Sequence, residues 1–349
     1  MFYIRVDAND KIATGHVMRC MSIADVIKKR NIDVCFLTAD HNADGLLHKN
    51  GFITKCLDSK WDNLENEIIS GKISSVLEND NNLKGILIDT YYVTEEYLDR
   101  LRKMCKTIYI DDIFVLEEYP VDFLINYNVY GTDLDYKSRC LPETKLLLGT
   151  EYVPLRKQFQ DIIPKFRKNV KDIFISTGGS DAYNIAGRIL DSIIEESVLE
   201  KFSEFNEINF HVISGVLNRN LPYLLDIESR YNNVFIHNNV SNIAQIMTMC
   251  DIAVSACGTT MYELCACGMP IITYTFADNQ LQGIKKFDEL GTIINCGNIG
   301  PNSIDVIIGR IVQSIKKMYF NVGERRKYFE RSLQLVSRYG VNNIVDMIV

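Results

Sequence analysis

Short apolar, β-branched runs alternate with longer amphipathic stretches through the N-terminal half of the chain. The run Phe2 to Val6 predicts a strand, and Val17 to Lys29 predicts a helix, with Met18, Met21, Ile23, Ala24 and Ile27 at helical spacing. Asp33 to Leu37, Gly85 to Asp89, Thr107 to Ile110 and Phe123 to Ile125 read as further strands. The pattern restarts after residue 170. Asp172 to Ser176 is a strand, followed by a Gly-containing turn and a helix to about Glu196. Asn209 to Ser214, Val234 to His237, Ile252 to Ser255, Pro270 to Thr275 and Thr292 to Asn295 continue the series. Strands alternating with helices predict α/β units built on mostly parallel sheets. Between the halves, Val153 to Val170 carries Pro154, Pro164 and five basic residues, a composition suited to a linker.

Composition narrows the class. The 349 residues are 47% hydrophobic and 24% charged, which excludes disorder as a whole-chain description. Lys and Arg number 38 against 45 Asp and Glu, a net charge of -7. That balance gives no global attraction to nucleic acid or anionic lipid, so neither is an expected partner. No apolar run reaches the ~18–20 residues of a membrane span. The N-terminal segment has Asp7 and no basic flank before a long apolar stretch, so a signal peptide is not expected and the cytoplasm is the expected compartment. The ten cysteines then read as reduced thiols. The spacing Cys265-Ala266-Cys267 is not that of a CxxC metal or redox motif.

Two Rossmann-like units facing one another across a cleft would bind ligands at the carboxyl ends of their strands. Four loops there carry candidate chemistry. After the first strand come Asp7, Thr14, Gly15, His16 and Arg19. A histidine opening a helix feels the positive end of the helix dipole, which favours the neutral ring that a general base requires. Arg19, one turn on, is placed to reach an anion or to pair with Asp7. In Thr177-Gly178-Gly179-Ser180-Asp181, two glycines between strand and helix can cradle phosphate through backbone N–H groups, or form a plain turn capped by Ser180 or Asp181. The spacing matches neither GxGxxG nor a P-loop. In Ser255 to Glu263, the amides and hydroxyls of Gly258, Thr259 and Thr260 suit a diphosphate, and the Glu263 carboxylate suits vicinal ribose hydroxyls. Thr260 and Glu263 also have capping-box spacing. Ala277-Asp278-Asn279-Gln280 offers polar side chains for sugar hydroxyls. Cys257 sits at a helix start, yet no histidine is near it in sequence, and it reads as a small residue lining the turn.

The stretch SACGTTMYELCACGMPIITYTFADNQ resembles the nucleotide-sugar site of MurG-like GT-B proteins. With RVD and TGHVMRC near the N-terminus, ILIDTYYV from Ile86 to Val93, and STGGSD from Ser176 to Asp181, the chain resembles the PseG family of UDP-2,4-diacetamido-2,4,6-trideoxy-β-L-altropyranose hydrolases over most of its length. Thr14 stands where that family often has a further glycine. The resemblance implies a GT-B fold: an N-terminal Rossmann-like domain at 1–155, a linker at 156–170, a nucleotide-binding domain at 171–325 and a helix at 326–349 crossing back to the first domain. It implies His16 as catalytic base, with Asp7 beside it. Gly178, Gly179, Gly258, Thr259, Thr260 and Glu263 are implied for the nucleotide. Gly15, Arg19, Tyr91, Asn126, Asn279 and Gln280 are implied for the sugar.

The implied reaction is hydrolysis of a UDP-sugar at C1 with inversion, for pseudaminic acid biosynthesis. No cofactor and no metal are expected, since the sequence shows no His-rich cluster, and a monomer is favoured. Two alternatives stay open: a GT-B glycosyltransferase with an unknown acceptor, and a nucleotide-sugar binding protein without turnover.

Overall fold

The computed structural model describes residues 1–9, 11–12, 14–198, 203–215 and 217–349. Two compact units emerge, 1–157 together with 338–349, and 158–337.

The first unit is built on a seven-stranded parallel sheet in the order β3-β2-β1-β4-β5-β6-β7. Its strands are β1 (Phe2–Val6), β2 (Val34–Thr38), β3 (Ile53–Cys56), β4 (Gly85–Asp89), β5 (Thr107–Ile110), β6 (Phe123–Asn126) and β7 (Lys145–Leu148). β1, β2, β4, β5 and β6 are buried along their whole length, which is why they read as continuous apolar runs. The edge strands β3 and β7 are partly exposed and carry Lys55 and Lys145. Neither was expected from the sequence: both are four-residue strands, β3 mixes polar with apolar residues, and β7 opens on Lys145 before three leucines.

The second unit has a six-stranded parallel sheet in the order β10-β9-β8-β11-β12-β13. Its strands are β8 (Asp172–Ser176), β9 (Asn209–Ser214), β10 (Val234–Asn238), β11 (Ile252–Ala256), β12 (Ile271–Thr275) and β13 (Ile293–Asn298). Ile173, Ile175, Phe210, Val254 and Ile272 pack there against Ile189, Ile193 and Ile311 of the flanking helices. In both sheets the strand order reverses beside the first strand, between β1 and β4 and between β8 and β11. Loops at the carboxyl ends of these strands flank a natural ligand position.

The C-terminal segment differs from the single helix expected over 326–349. It forms two helices, Val322–Leu335 and Gly340–Ile348. The first belongs to the second unit, where Ser332 Oγ donates to the Met269 carbonyl at 3.1 Å. The second belongs to the first unit and buries Val341, Ile344, Val345 and Ile348. Gly340 is required there, since a Cβ would stand 2.3 Å from the Val153 carbonyl oxygen. Residues 158–170 of the expected linker pack on the second unit, with Gln158 Oε1 accepting from Ala244 N at 3.1 Å and Arg167 paired to Asp251 at 3.3 Å.

Candidate active site

In the first unit the helix Gly15–Lys29 begins without a side-chain cap from Thr14, and Gly15 is exposed. His16 is 9% exposed. Its Nδ1 lies 2.6 Å from Asp89 Oδ1. Asp89 ends β4 and is almost completely buried. Arg19, one helical turn beyond His16, grips the same carboxylate twice, Nε to Oδ2 at 2.6 Å and Nη2 to Oδ1 at 2.5 Å. Cys20 Sγ donates to it at 3.3 Å. Positions 16, 19 and 20 share one helix face, so all three reach one acceptor.

Burial opposes charge on Asp89, but Arg19 and then His16 outweigh it and hold the carboxyl well below the usual range. Burial likewise opposes charge on Arg19, yet Asp112 and Asp89 keep it firmly cationic. Arg19 Nη1 also donates to Asp112 Oδ2 at 2.8 Å and to Tyr127 OH at 2.5 Å. Tyr91 donates its hydroxyl to Asp112 Oδ2 at 3.1 Å and sets its ring edge-on to His16, centroids 4.7 Å apart. An ionised carboxylate at 2.6 Å requires a donor. A proton on Nδ1 directed at Asp89 Oδ1 leaves Nε2 as the accepting nitrogen of the ring; Arg19 Nη2 also lies 3.0 Å from Nδ1.

The other sequence candidates of this unit face elsewhere. Asp7 is buried, and its carboxylate accepts from Arg5 Nη1 at 2.5 Å and from the Ala39 N–H at 2.7 Å. Arg5 in turn binds Glu67 at 2.6 Å, and Glu67 accepts from Ser59 at 2.6 Å and Tyr97 at 3.0 Å. Asp7 thus closes a buried network and does not pair with Arg19, whose carboxylates are Asp89 and Asp112. Asn126 has no exposed surface. Its amide donates to Tyr136 OH at 2.8 Å and accepts from the Asn128 N–H at 3.0 Å, which makes it a turn-forming residue rather than a ligand contact. Asp89, Asp112 and Tyr127 were missed by the sequence reading. Their signal was positional, since Asp89 and Asp112 stand at the carboxyl ends of β4 and β5.

In the second unit Gly178 has a φ of 92°, and no atom lies within 4 Å of the Cβ position at Gly178, Gly179 or Gly258. Asp181 accepts from Ile185 N at 2.8 Å and Ala186 N at 3.2 Å, so it starts the helix Ile185–Val198. Burial raises its pKa against those two bonds. Gly178, Gly179, Tyr183, Tyr274 and Phe276 line a pocket of about 60 Å³. The Tyr274 hydroxyl in its wall is buried without a hydrogen-bond partner. Gly215 packs against this loop, since a Cβ there would stand 2.3 Å from the Gly179 carbonyl oxygen.

The helix Thr260–Ala266 has Thr259 as its N-cap, with no side-chain capping bond from it, so Thr260 opens the first turn instead of capping it. Gly258 and Thr259 are exposed, and Thr260 and Glu263 are half-buried on its first turn. Asn279 is exposed, whereas Gln280 Oε1 accepts from Phe276 N at 3.0 Å and shapes its own turn. Burial pushes the Cys257 thiol up to about 12, which keeps it protonated. Among the described residues, no group of three or more His, Cys, Asp or Glu is placed to hold a metal ion. No helix there is long and apolar enough to cross a membrane.

The fold is of the GT-B type, with two Rossmann-like α/β units. It is similar to that of MurG from Acinetobacter baumannii, with a TM-score of 0.66, 11% identity, and 99% of this chain and 98% of that one covered. In sequence the chain is similar to an uncharacterised protein of Methanocaldococcus jannaschii, 25% identical over 95% of this chain and 69% of that protein. It is also similar to the UDP-2,4-diacetamido-2,4,6-trideoxy-β-L-altropyranose hydrolase of Campylobacter jejuni, 24% identical over 70% of this chain and 80% of that protein. No protein-family profile matches the chain.

Proposed function

We propose that the protein hydrolyses a UDP-linked 2,4-diacetamido-2,4,6-trideoxyhexose at C1 with inversion, releasing UDP and the free sugar. The observation that carries this reading is the His16–Asp89 pair at 2.6 Å, at the carboxyl end of β4. A base oriented by a buried carboxylate is what activation of water requires. The likeness to the Campylobacter jejuni hydrolase supports the substrate class.

In the proposed step, His16 Nε2 takes a proton from water as the water oxygen bonds to C1. The C1–O bond to UDP breaks, and its electron pair leaves with the diphosphate. Asp89 balances the imidazolium that forms. Amides and hydroxyls at Gly178, Gly179 and Gly258 to Thr260 would meet the charge growing on the diphosphate, the contribution that usually dominates in such transfers. Glu263 would hold the ribose hydroxyls. Gly15, Arg19, Tyr91 and Asn279 would border the sugar. A diphosphate leaves readily, so the reaction needs no strong general acid.

A second reading, a glycosyltransferase, is favoured by the likeness of fold to MurG. Incubation with the UDP-linked sugar in water enriched in heavy oxygen separates the two. Labelled free sugar of inverted anomeric form, with unlabelled UDP, is the expected result. UDP binding without turnover until an acceptor is supplied would move the transferase reading to first place.

A further inference from the structure

The chain contains one tryptophan, Trp61. It lies in the loop after β3, Lys11 lies in the loop after β1, and Tyr92 lies in the loop after β4. The sheet order β3-β2-β1-β4 brings these three loops out at the same end of the first unit's sheet, the end that carries His16 and Asp89. The Trp61 and Tyr92 rings meet edge to face with centroids 5.0 Å apart. The Lys11 ammonium stands 5.5 Å from the Trp61 ring centroid. Tyr91, the neighbour of Tyr92 in the chain, touches the His16 ring. Tyr91 and Tyr92 keep 39% and 38% of their surface exposed. Trp61 is half-buried and Tyr92 is exposed, so neither is fully taken into the core.

Large aromatic rings outside the core leave apolar surface toward water, and such surface at the rim of a site is a place for ligand. The chemistry here is specific. Aromatic faces accept methyl groups, and an ammonium donates to a carbonyl oxygen. An acetamido group presents a methyl and a carbonyl together. We propose that Trp61, Tyr92 and Lys11 form a subsite for an N-acetyl substituent of the sugar, with the acetyl methyl on the rings and its oxygen toward Lys11. The proposal rests on the sugar-nucleotide reading above and adds the residues that select an N-acetylated sugar.

Trp61 is its own reporter. The intact protein is titrated with the UDP-linked diacetamido sugar and, separately, with UDP, while tryptophan emission is recorded and binding is followed by calorimetry. A saturable emission change with the sugar nucleotide, and none with bound UDP, is expected. Trp61→Ala should raise KM about tenfold, a loss of about 1.4 kcal/mol of binding, with a much smaller change in kcat. Trp61→Phe should recover most of that KM, and UDP binding by the Ala variant verifies its fold. Turnover with unmoved emission and wild-type kinetics in Trp61→Ala would overturn the subsite and leave hydrolysis standing. An emission change without turnover would support the subsite while hydrolysis falls.

Discussion

His16 Nδ1 and Asp89 Oδ1 stand 2.6 Å apart although 73 residues separate them in the chain. The same carboxylate is clamped by Arg19, which fixes the acceptor that orients the imidazole. Removing the ring removes the proposed base and leaves the nucleotide loops of the second unit in place. His16→Ala is expected to lower kcat at least about 100-fold, the usual scale of general-base loss. UDP affinity measured by calorimetry should stay within a factor of about three, since His16 and the nucleotide loops lie in different units. Near wild-type turnover in this variant would remove His16 from the mechanism.

Asp89→Asn tests the orienting role. An amide can present its N–H to Nδ1 and select the wrong tautomer, so kcat should fall about 100-fold or more. The same change leaves the Arg19 cation short of a buried partner, and a stability loss of about 3 kcal/mol is expected in urea unfolding. The sign with pH follows from the depressed carboxyl. Because the folded protein holds Asp89 below its unfolded value near 3.9, its contribution is present above about pH 4 and is lost as the pH falls toward the folded value. The variant should lack that part of the acid-unfolding slope.

Gly215→Ala tests the loop that borders the second unit's pocket. The added methyl meets the Gly179 carbonyl oxygen at 2.3 Å, so the Gly178–Gly179 turn must shift. UDP affinity should drop roughly tenfold, about 1.4 kcal/mol, while kcat at saturating substrate changes less. Unchanged UDP affinity would separate this turn from the nucleotide.

His237 supplies a pH signature of stability away from either loop cluster. His211 lies between Asp172 and His237, with Nε2 3.0 Å from Asp172 Oδ1 and Nδ1 3.0 Å from His237 Nε2. Burial and then the neighbouring His211 lower the His237 pKa, and Glu228 only partly opposes them. The contribution is therefore complete above the unfolded value of about 6.5 and is lost as the pH falls toward the lower folded value. Denaturant midpoints of the wild type should fall between pH 7.5 and pH 5.5 by more than those of His237→Gln. Parallel midpoints in the two proteins would place the acid sensitivity elsewhere.

Much of this arrangement was legible in the sequence, because local periodicity is written in contiguous residues. β1 and β4 are buried on both faces, and their unbroken apolar runs announced them. His16 was legible because it follows a strand and opens a helix. The edge strands β3 and β7 were not, since each spans only four residues and includes a lysine admitted by exposure.

Partner choice was decided by the tertiary structure. Asp7 is nearer to His16 in sequence than Asp89 is, yet Arg5 and the Ala39 N–H take up its carboxylate. Asp89 meets His16 because parallel β4 lies directly beside β1, a consequence of strand order that no local window contains. The same holds for Trp61, Tyr92 and Lys11, whose loops meet because the order β3-β2-β1-β4 opens them at one end of the sheet. By itself the sequence determined most of the elements and the place of His16 at a helix start. The crossover connections of the parallel sheet decided which side chains surround it, because each crossover carries the chain past its sequence neighbours to a strand far along it.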